Sequence, residues 1–130
     1  MSVSHGDQRK RKSSGGRKQT YRKKRKHEKG SFPTQTKLGK TKRKLSRTRG
    51  GNKKIRVMAT EHANLSDPKA GKTQKTEILR VIRNPANIDY DRRGVITKGT
   101  IIETPLGRAL VTSRPGQNGI INATLLPKEK

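Results

Sequence analysis

Of the 34 Lys and Arg in this chain, 22 fall within residues 1–56, against two acids, Asp7 and Glu28. A net charge of +20 is thus concentrated in less than half of the molecule, while residues 57–130 hold 12 basic and seven acidic side chains. A segment with this much self-repulsion cannot condense alone and needs a polyanion to lie on. Nearly all the aliphatic residues lie in the second part, which reads as a small folded module anchoring the first.

The 130 residues suffice for one domain, yet the hydrophobic fraction is 25%, about half that of an ordinary globular chain. Before Ile55 the apolar residues are few and scattered: Met1, Val3, Tyr21, Phe32, Leu38 and Leu45. No periodic stripe runs through them, so the core is expected from residue 55 onward. A module of that size buries only about 60% of its unfolded surface. Cysteine is absent, which removes disulfides and thiolate metal sites. No apolar run reaches the length of a membrane span or a signal-peptide core, and the expectation is a soluble, cytoplasmic protein without a membrane partner.

Three zones follow from these patterns: a basic tail over residues 1–30, a Thr/Lys/Gly-rich connector over 31–54, and a β-rich stretch over 55–126. Residues 22–29 have the composition for a helical turn or two on binding, although like charges at spacings of three and four oppose it in free solution. In the third zone, alternation and β-branched residues predict strands over 54–60, 76–83, 94–96, 100–104, 108–113 and 120–126. Pro85 interrupts after the second of these, Pro105 and Gly107 mark a tight hairpin, and residues 114–119 mark a further turn. The fold expected is mainly β: a small antiparallel β-barrel of five or six strands over 55–130. A long extended basic N-terminal arm over 1–54, disordered when free, precedes it. Closure into a barrel is favoured because so small a chain cannot otherwise cover two sheet edges.

The tail carries the chemical signal. Arg9, Lys10, Arg11 and Lys12, then Arg17 and Lys18, then Arg22, Lys23, Lys24, Arg25 and Lys26 form basic runs broken by Gly15 and Gly16. Arginine matches phosphate oxygens with a planar fork and lysine with a mobile point charge. The glycines let the backbone approach a phosphate ribbon, and the Tyr21 ring is placed to stack on an unpaired base. Lys37, Lys40, Lys42, Arg43, Lys44 and Arg47 continue the series of candidate phosphate contacts. Arg49, Gly50, Gly51, Asn52, Lys53 and Lys54 read either as a Gly-hinged phosphate grip or as a plain linker. Arg114 stands in a turn that is equally a contact or a structural element.

Patterns of catalysis fail. Gly71-Lys72-Thr73 resembles the end of a phosphate-binding loop, but Ser66 stands where that motif needs glycine. His5, His27 and His62 are isolated and lack metal-ligand spacing. His27 and Glu28 read as a charge-compensating pair. Asp89, Asp91 and Glu103 have no patterned partner. Neither an enzyme activity, a cofactor, a metal nor a small-molecule substrate is expected.

Arg11-x-x-Ser14-Gly15-Gly16, five residues, then Arg22-Lys23-Lys24-x-Lys26-x-Glu28-x-Gly30 resembles the signature of the archaeal and eukaryotic small-subunit ribosomal protein family S-8e. Ser14 stands where the family usually has Thr, which keeps the hydroxyl; Lys29 replaces an aliphatic residue, exchanging a hydrophobic contact for a phosphate partner. Thr36-Lys37-Leu38-Gly39, residues 49–54 and Val111-Thr112-Ser113-Arg114-Pro115-Gly116-Gln117 also look like this family, so the likeness covers almost the whole chain. The resemblance implies a structural constituent of the small ribosomal subunit, bound to its ribosomal RNA and beside other ribosomal proteins. It also implies an arm that folds on the RNA and a short, archaeal-type chain. An assembly factor on the same domain and an architectural DNA-binding protein are the rival readings. The first usually carries long extra segments and the second needs a base-reading helix, neither of which this sequence has.

Overall fold

The computed structural model describes residues 3–4, 11–19 and 22–127, and the chain divides into two compact units, Met1–Pro33 and Thr34–Lys130. In the first unit β1 (Val3–Ser4) pairs antiparallel with β2 (Lys29–Gly30). Arg11 and Arg17 face each other across a single bridge, closed by Lys12 N–H donating to the Gly16 carbonyl at 2.8 Å and Gly15 N–H to the Lys12 carbonyl at 3.0 Å. Gly15 takes φ +85° with nothing within 4 Å of a would-be Cβ, so backbone conformation rather than crowding calls for glycine there. Within residues 22–29 the helix is one 3-10 turn, Lys26–Glu28.

In the second unit the strands are β3 (Lys37–Leu38), β4 (Lys42–Arg47), β5 (Lys53–Thr60), β6 (His62–Asp67), β7 (Lys72–Glu77), β8 (Arg80–Arg83), β9 (Ile101–Thr104), β10 (Gly107–Val111) and β11 (Asn122–Leu125). Two short helices join them, α1 (Ile88–Arg92) and α2 (Pro115–Asn118). The strands form a six-stranded sheet in the order β7-β6-β11-β10-β9-β8 and a three-stranded sheet in the order β3-β5-β4. The chain is mainly β, as expected.

The larger sheet is rolled. Its end strands, β7 and β8, are consecutive in the chain and joined by Ile78 and Leu79 alone. Three residue steps span at most about 11 Å, whereas six flat strands at about 4.8 Å spacing would set the edges some 24 Å apart. The sheet therefore curls until its edges approach, although no ladder joins β7 to β8. It is also not purely antiparallel, because β11 pairs parallel with β6. The single strand expected over 76–83 breaks where the chain passes from one edge to the other. There Ile78 N–H donates to the Glu61 carbonyl at 2.7 Å and Leu79 N–H to the Glu103 carbonyl at 2.9 Å.

Alternation fills the inside of the roll. Ala63 and Leu65 of β6, Ile102 of β9, Ala109 and Val111 of β10 and Ala123 of β11 are buried together with Ile78, Ile96 and Ile121. Large and small residues face one another across the ladders: Leu65 beside Ala123, Ala123 beside Val111, and Ala109 between Ile102 and Leu125. That interdigitation lets few aliphatic residues fill a tight interior.

Further departures from the sequence expectation fall between residues 84 and 119. The stretch over 94–96 is not a strand, and Ile96 makes only one bridge, to Thr36. The interruption at Asn84-Pro85 leads into α1, capped by the Asn87 side chain, which accepts from Asp89 N–H at 2.8 Å. Buried Asn84 replaces the lost ladder: its Nδ2 donates to the Val95 carbonyl at 2.6 Å and its Oδ1 accepts from Ala86 N–H at 3.0 Å. The turn expected over 114–119 is the single helical turn α2, ended by Gly119 at φ +78°.

A Cβ at Gly119 would stand 2.9 Å from both Cβ and Cγ2 of Ile55 on β5. We therefore expect Gly119→Ala to destabilise the fold by about 2–4 kcal/mol, combining left-handed backbone strain with overpacking. Gly71→Ala, which has a positive φ but open space, should cost about 1 kcal/mol. Urea unfolding of both variants checks the difference.

Candidate nucleic-acid interface

Ordered structure in the second unit begins at Thr34, well before Ile55. Thr36 is fully buried; its hydroxyl donates to the Val57 carbonyl at 2.7 Å, and its own carbonyl accepts from Ile96 N–H at 2.8 Å. β3 then runs parallel to the end of β5, Lys37 beside Ala59 and Leu38 beside Thr60. A scan for apolar periodicity misses this segment because a hydroxyl and backbone bonds hold it.

β4 and β5 form a two-stranded ribbon about 20 Å long. Its strands carry Lys42, Arg43, Lys44, Arg47, Lys53, Lys54 and Arg56 and no acid. The register sets Lys44 directly opposite Arg56 and Arg47 opposite Lys53. Opposed residues share a face with Cβ atoms about 5 Å apart, and like charges placed so are destabilising. Ser46 pairs with Lys54, and Leu45 pairs with Ile55 on the other face; both apolar side chains are exposed. Val57, 1% exposed, and Thr60 are the buried residues of these strands, and they fix the ribbon's base to the body.

The turn between the two strands is Arg49-Gly50-Gly51-Asn52. Gly50 and Gly51 take φ +73° and +78°, a succession that side chains with a Cβ rarely adopt. Thr48 closes the turn, its N–H and its hydroxyl both donating to the Asn52 carbonyl, at 2.7 and 3.0 Å. The grip read in the sequence is thus a hairpin tip, with Arg49 upon it and Lys53 and Lys54 on the strand beyond.

Acids are distributed so as to leave this ribbon unneutralised. Among the described residues, Glu28 pairs with Arg22 and His27, Glu103 with Arg80, and Asp89 with Arg92 and Arg93. None of these ion pairs includes Lys37, Lys40, Arg49 or any ribbon cation. Arg56, absent from the sequence-based candidates because it follows the boundary drawn at 54, belongs to the ribbon. Its Nε is buried without a hydrogen-bond partner among the described residues. The signal that would have found it is strand alternation, which places it with Lys54 and Met58.

In the first unit the basic candidates are organised by one acid. Arg22 grips Glu28 with both terminal nitrogens, Nη1 at 2.9 Å from Oε2, and Arg25 N–H donates to the same Oε2 at 3.0 Å. His27 Nε2 is 3.8 Å away, so the principal partner of Glu28 is Arg22 rather than its neighbour. Lys12, Lys18, Lys23, Lys24, Arg25 and Lys26 have exposed side chains. Arg11, also exposed, donates to the Gly15 carbonyl at 3.1 Å. Arg9, Lys10 and Tyr21 lie outside the described residues. Arg114 is exposed, and its carbonyl accepts from Gln117 and Asn118 N–H at 2.9 and 2.8 Å, starting α2.

The enzyme-like patterns resolve into structure. Gly71-Lys72-Thr73 lies at a β-hairpin, where Gly71 N–H donates to the Asp67 carbonyl at 2.9 Å. No group of three or more His, Cys, Asp or Glu that could hold a metal occurs among the described residues. No helix among them is long and apolar enough to cross a membrane.

Residues 5–126 match the family described as Ribosomal protein S8e. The chain belongs to the ribosomal protein S8e family. It is 52% identical over 116 residues to the small ribosomal subunit protein eS8 of Methanospirillum hungatei, covering 89% of this chain and 93% of that protein. To the protein of the same name from Ignicoccus hospitalis it is 50% identical over 131 residues, covering 99% of this chain and 100% of the relative. The eS8 protein of Sulfolobus acidocaldarius is 51% identical over 117 residues, covering 89% and 91%. The basic signature that prompted the S-8e resemblance lies within the matched span.

Hydrogen bonds from Arg22 and from Arg25 N–H, aided by the charges of Arg22 and His27, lower the Glu28 carboxyl from 4.5 to about 2. A carboxyl lowered on folding adds stability that is complete above its unfolded value and is lost as pH falls through the folded one. The Arg22–Glu28 turn should therefore hold at neutral pH and loosen between about 4.5 and 2. In carbon-detected NMR the Glu28 carboxyl should titrate near 2, and Arg22→Gln should move it up towards 4.5. An unchanged midpoint in that variant would show that Arg22 is not the cause.

Proposed function

We propose that this chain is a structural constituent of the small ribosomal subunit, holding ribosomal RNA through its basic first unit and through the β4–β5 ribbon. The observation that carries this reading is the ribbon's cross-strand pairing of Lys44 with Arg56 and Arg47 with Lys53, with no acid on either strand. A fold that sets like charges side by side forgoes stability unless an anion intervenes. A phosphate backbone presents closely spaced negative charge along its length, which fits a row of cations along a ribbon.

Membership of the S8e family and relatives named as small ribosomal subunit proteins support a ribosomal, hence cytoplasmic, and non-catalytic role. The anion is then ribosomal RNA, and neighbouring ribosomal proteins are further partners. Lys and Arg neutralise phosphates where RNA segments crowd together, and counterion release drives the association. The exposed cations of the first unit, Lys23 and Lys24 among them, act in the same way. Their self-repulsion is relieved only on the RNA, so ordering of the arm is coupled to binding.

The triple variant Lys42→Gln, Lys44→Gln, Lys53→Gln separates RNA contact from structural need. Its affinity for small-subunit ribosomal RNA should depend less steeply on salt, the log–log slope falling by about 2 to 3. Its stability to urea in the absence of RNA should be unchanged or higher, since repulsion is relieved. An unchanged salt slope would remove the ribbon from the interface.

A further inference from the structure

A crevice of about 220 Å³ opens between the two sheets of the second unit. Arg43 of β4, His62 and Asn64 of β6 and Lys75 of β7 line it, with Val57 and Ile120 as apolar lining. Strand alternation explains the gathering. Ala63 and Leu65 point into the rolled core, so His62 and Asn64 are turned to the opposite face. Lys75 is the direct cross-strand partner of Asn64, and Arg43 that of Val57. No carboxylate lines the crevice; Glu77, opposite His62 on the ladder, is not part of the lining.

The Asn64 amide is half used. Its Nδ2 donates to Asn122 Oδ1 at 3.1 Å, which holds the side chain still, and its Oδ1 has no hydrogen-bond partner among the described residues. The crevice thus combines two fixed-charge cations, a held amide acceptor and apolar surface. A phosphate alone would need only the cations. The amide and the apolar lining call for a ligand with a hydrogen-bonding edge and a flat ring. The Watson–Crick edges of a paired helix are already engaged, and a duplex does not enter a space this small.

We propose that this crevice receives one unpaired nucleotide of the bound RNA. Its phosphate lies between Arg43 and Lys75, a base N–H meets Asn64 Oδ1, and the ring rests against the exposed Ile120. The proposal builds on the RNA-binding reading above and adds to it a preference for unpaired positions.

The test uses the full chain and two RNA hairpins, one fully paired and one identical but for a single bulged nucleotide. The unmodified protein should prefer the bulged RNA by about tenfold, the scale of one base held by stacking and an edge contact. Asn64→Leu and Lys75→Gln should each bring that preference close to one. Lys75 is exposed on an edge strand, so its variant remains informative should Asn64→Leu fail to fold. No preference in the unmodified protein, or a preference that survives Lys75→Gln, would overturn the proposal. Equal affinity for free adenosine monophosphate and for the bulged RNA would overturn it as well. Failure to bind either hairpin would instead sink the RNA-binding reading itself.

Discussion

Repulsion between unneutralised cations is the constraint to which the rest of the second unit answers. The ribbon strands β4 and β5 hold seven basic residues and no acid, and two of their cross-strand pairs set like charges together. Such a hairpin would not persist by itself in water. It persists because β5 is tied at its base. Val57 is buried, Thr36 bonds across to its carbonyl, and Gly119 at the end of α2 stands so close to Ile55 that no Cβ fits between them. The residues that look least related to binding are those that hold the charges out.

Acidic residues serve the complementary purpose. Asp89 lies in the first turn of α1 and pairs with Arg93 and Arg92, whose hydrogen bonds hold its carboxyl below the ordinary range. Glu103 pairs with Arg80 across the β8–β9 ladder. Glu28 orders the turn that begins at Arg25. In each place an acid quiets the arginines that shape the fold, while the cations of residues 37–56 form no ion pair with any described acid. The division gives one chain both a modestly stable body and a strongly cationic surface. Membership of the S8e family agrees with that division.

Much of this was legible in the sequence, and the parts that were not share a physical cause. The cationic front, the β-rich body and the Pro105–Gly107 hairpin follow from composition, alternation and turn chemistry. Gly107 indeed takes φ +136° opposite Thr104. Strand β6 was missed because His62, Ala63, Asn64 and Asp67 are weak β formers, and only the two-residue alternation of Ala63 and Leu65 marks it. Strand β4 was missed because four cations in six residues read as part of the connector within the extended basic arm; its pairing comes from β5, far from anything in its own composition. Helix α1 had its signals in Asn87, the acids of its first turn and Gly94, all overshadowed by Pro85. The basic site residues were visible one by one. Their register, which decides that Lys44 meets Arg56, depends on a tertiary pairing that no local pattern contains.

On the function proposed, these unneutralised cations hold the protein as a fixed part of the small ribosomal subunit. Sedimentation of cell lysate through a sucrose gradient after a wash in about 0.5 M salt tests it most directly. A polycation touching about eight phosphates without specific placement loses about four to five decades of affinity between 0.1 and 0.5 M salt. The expected result is retention on mature small subunits at close to one copy each. Release to the top of the gradient, or appearance only in lighter precursor particles, would contradict it.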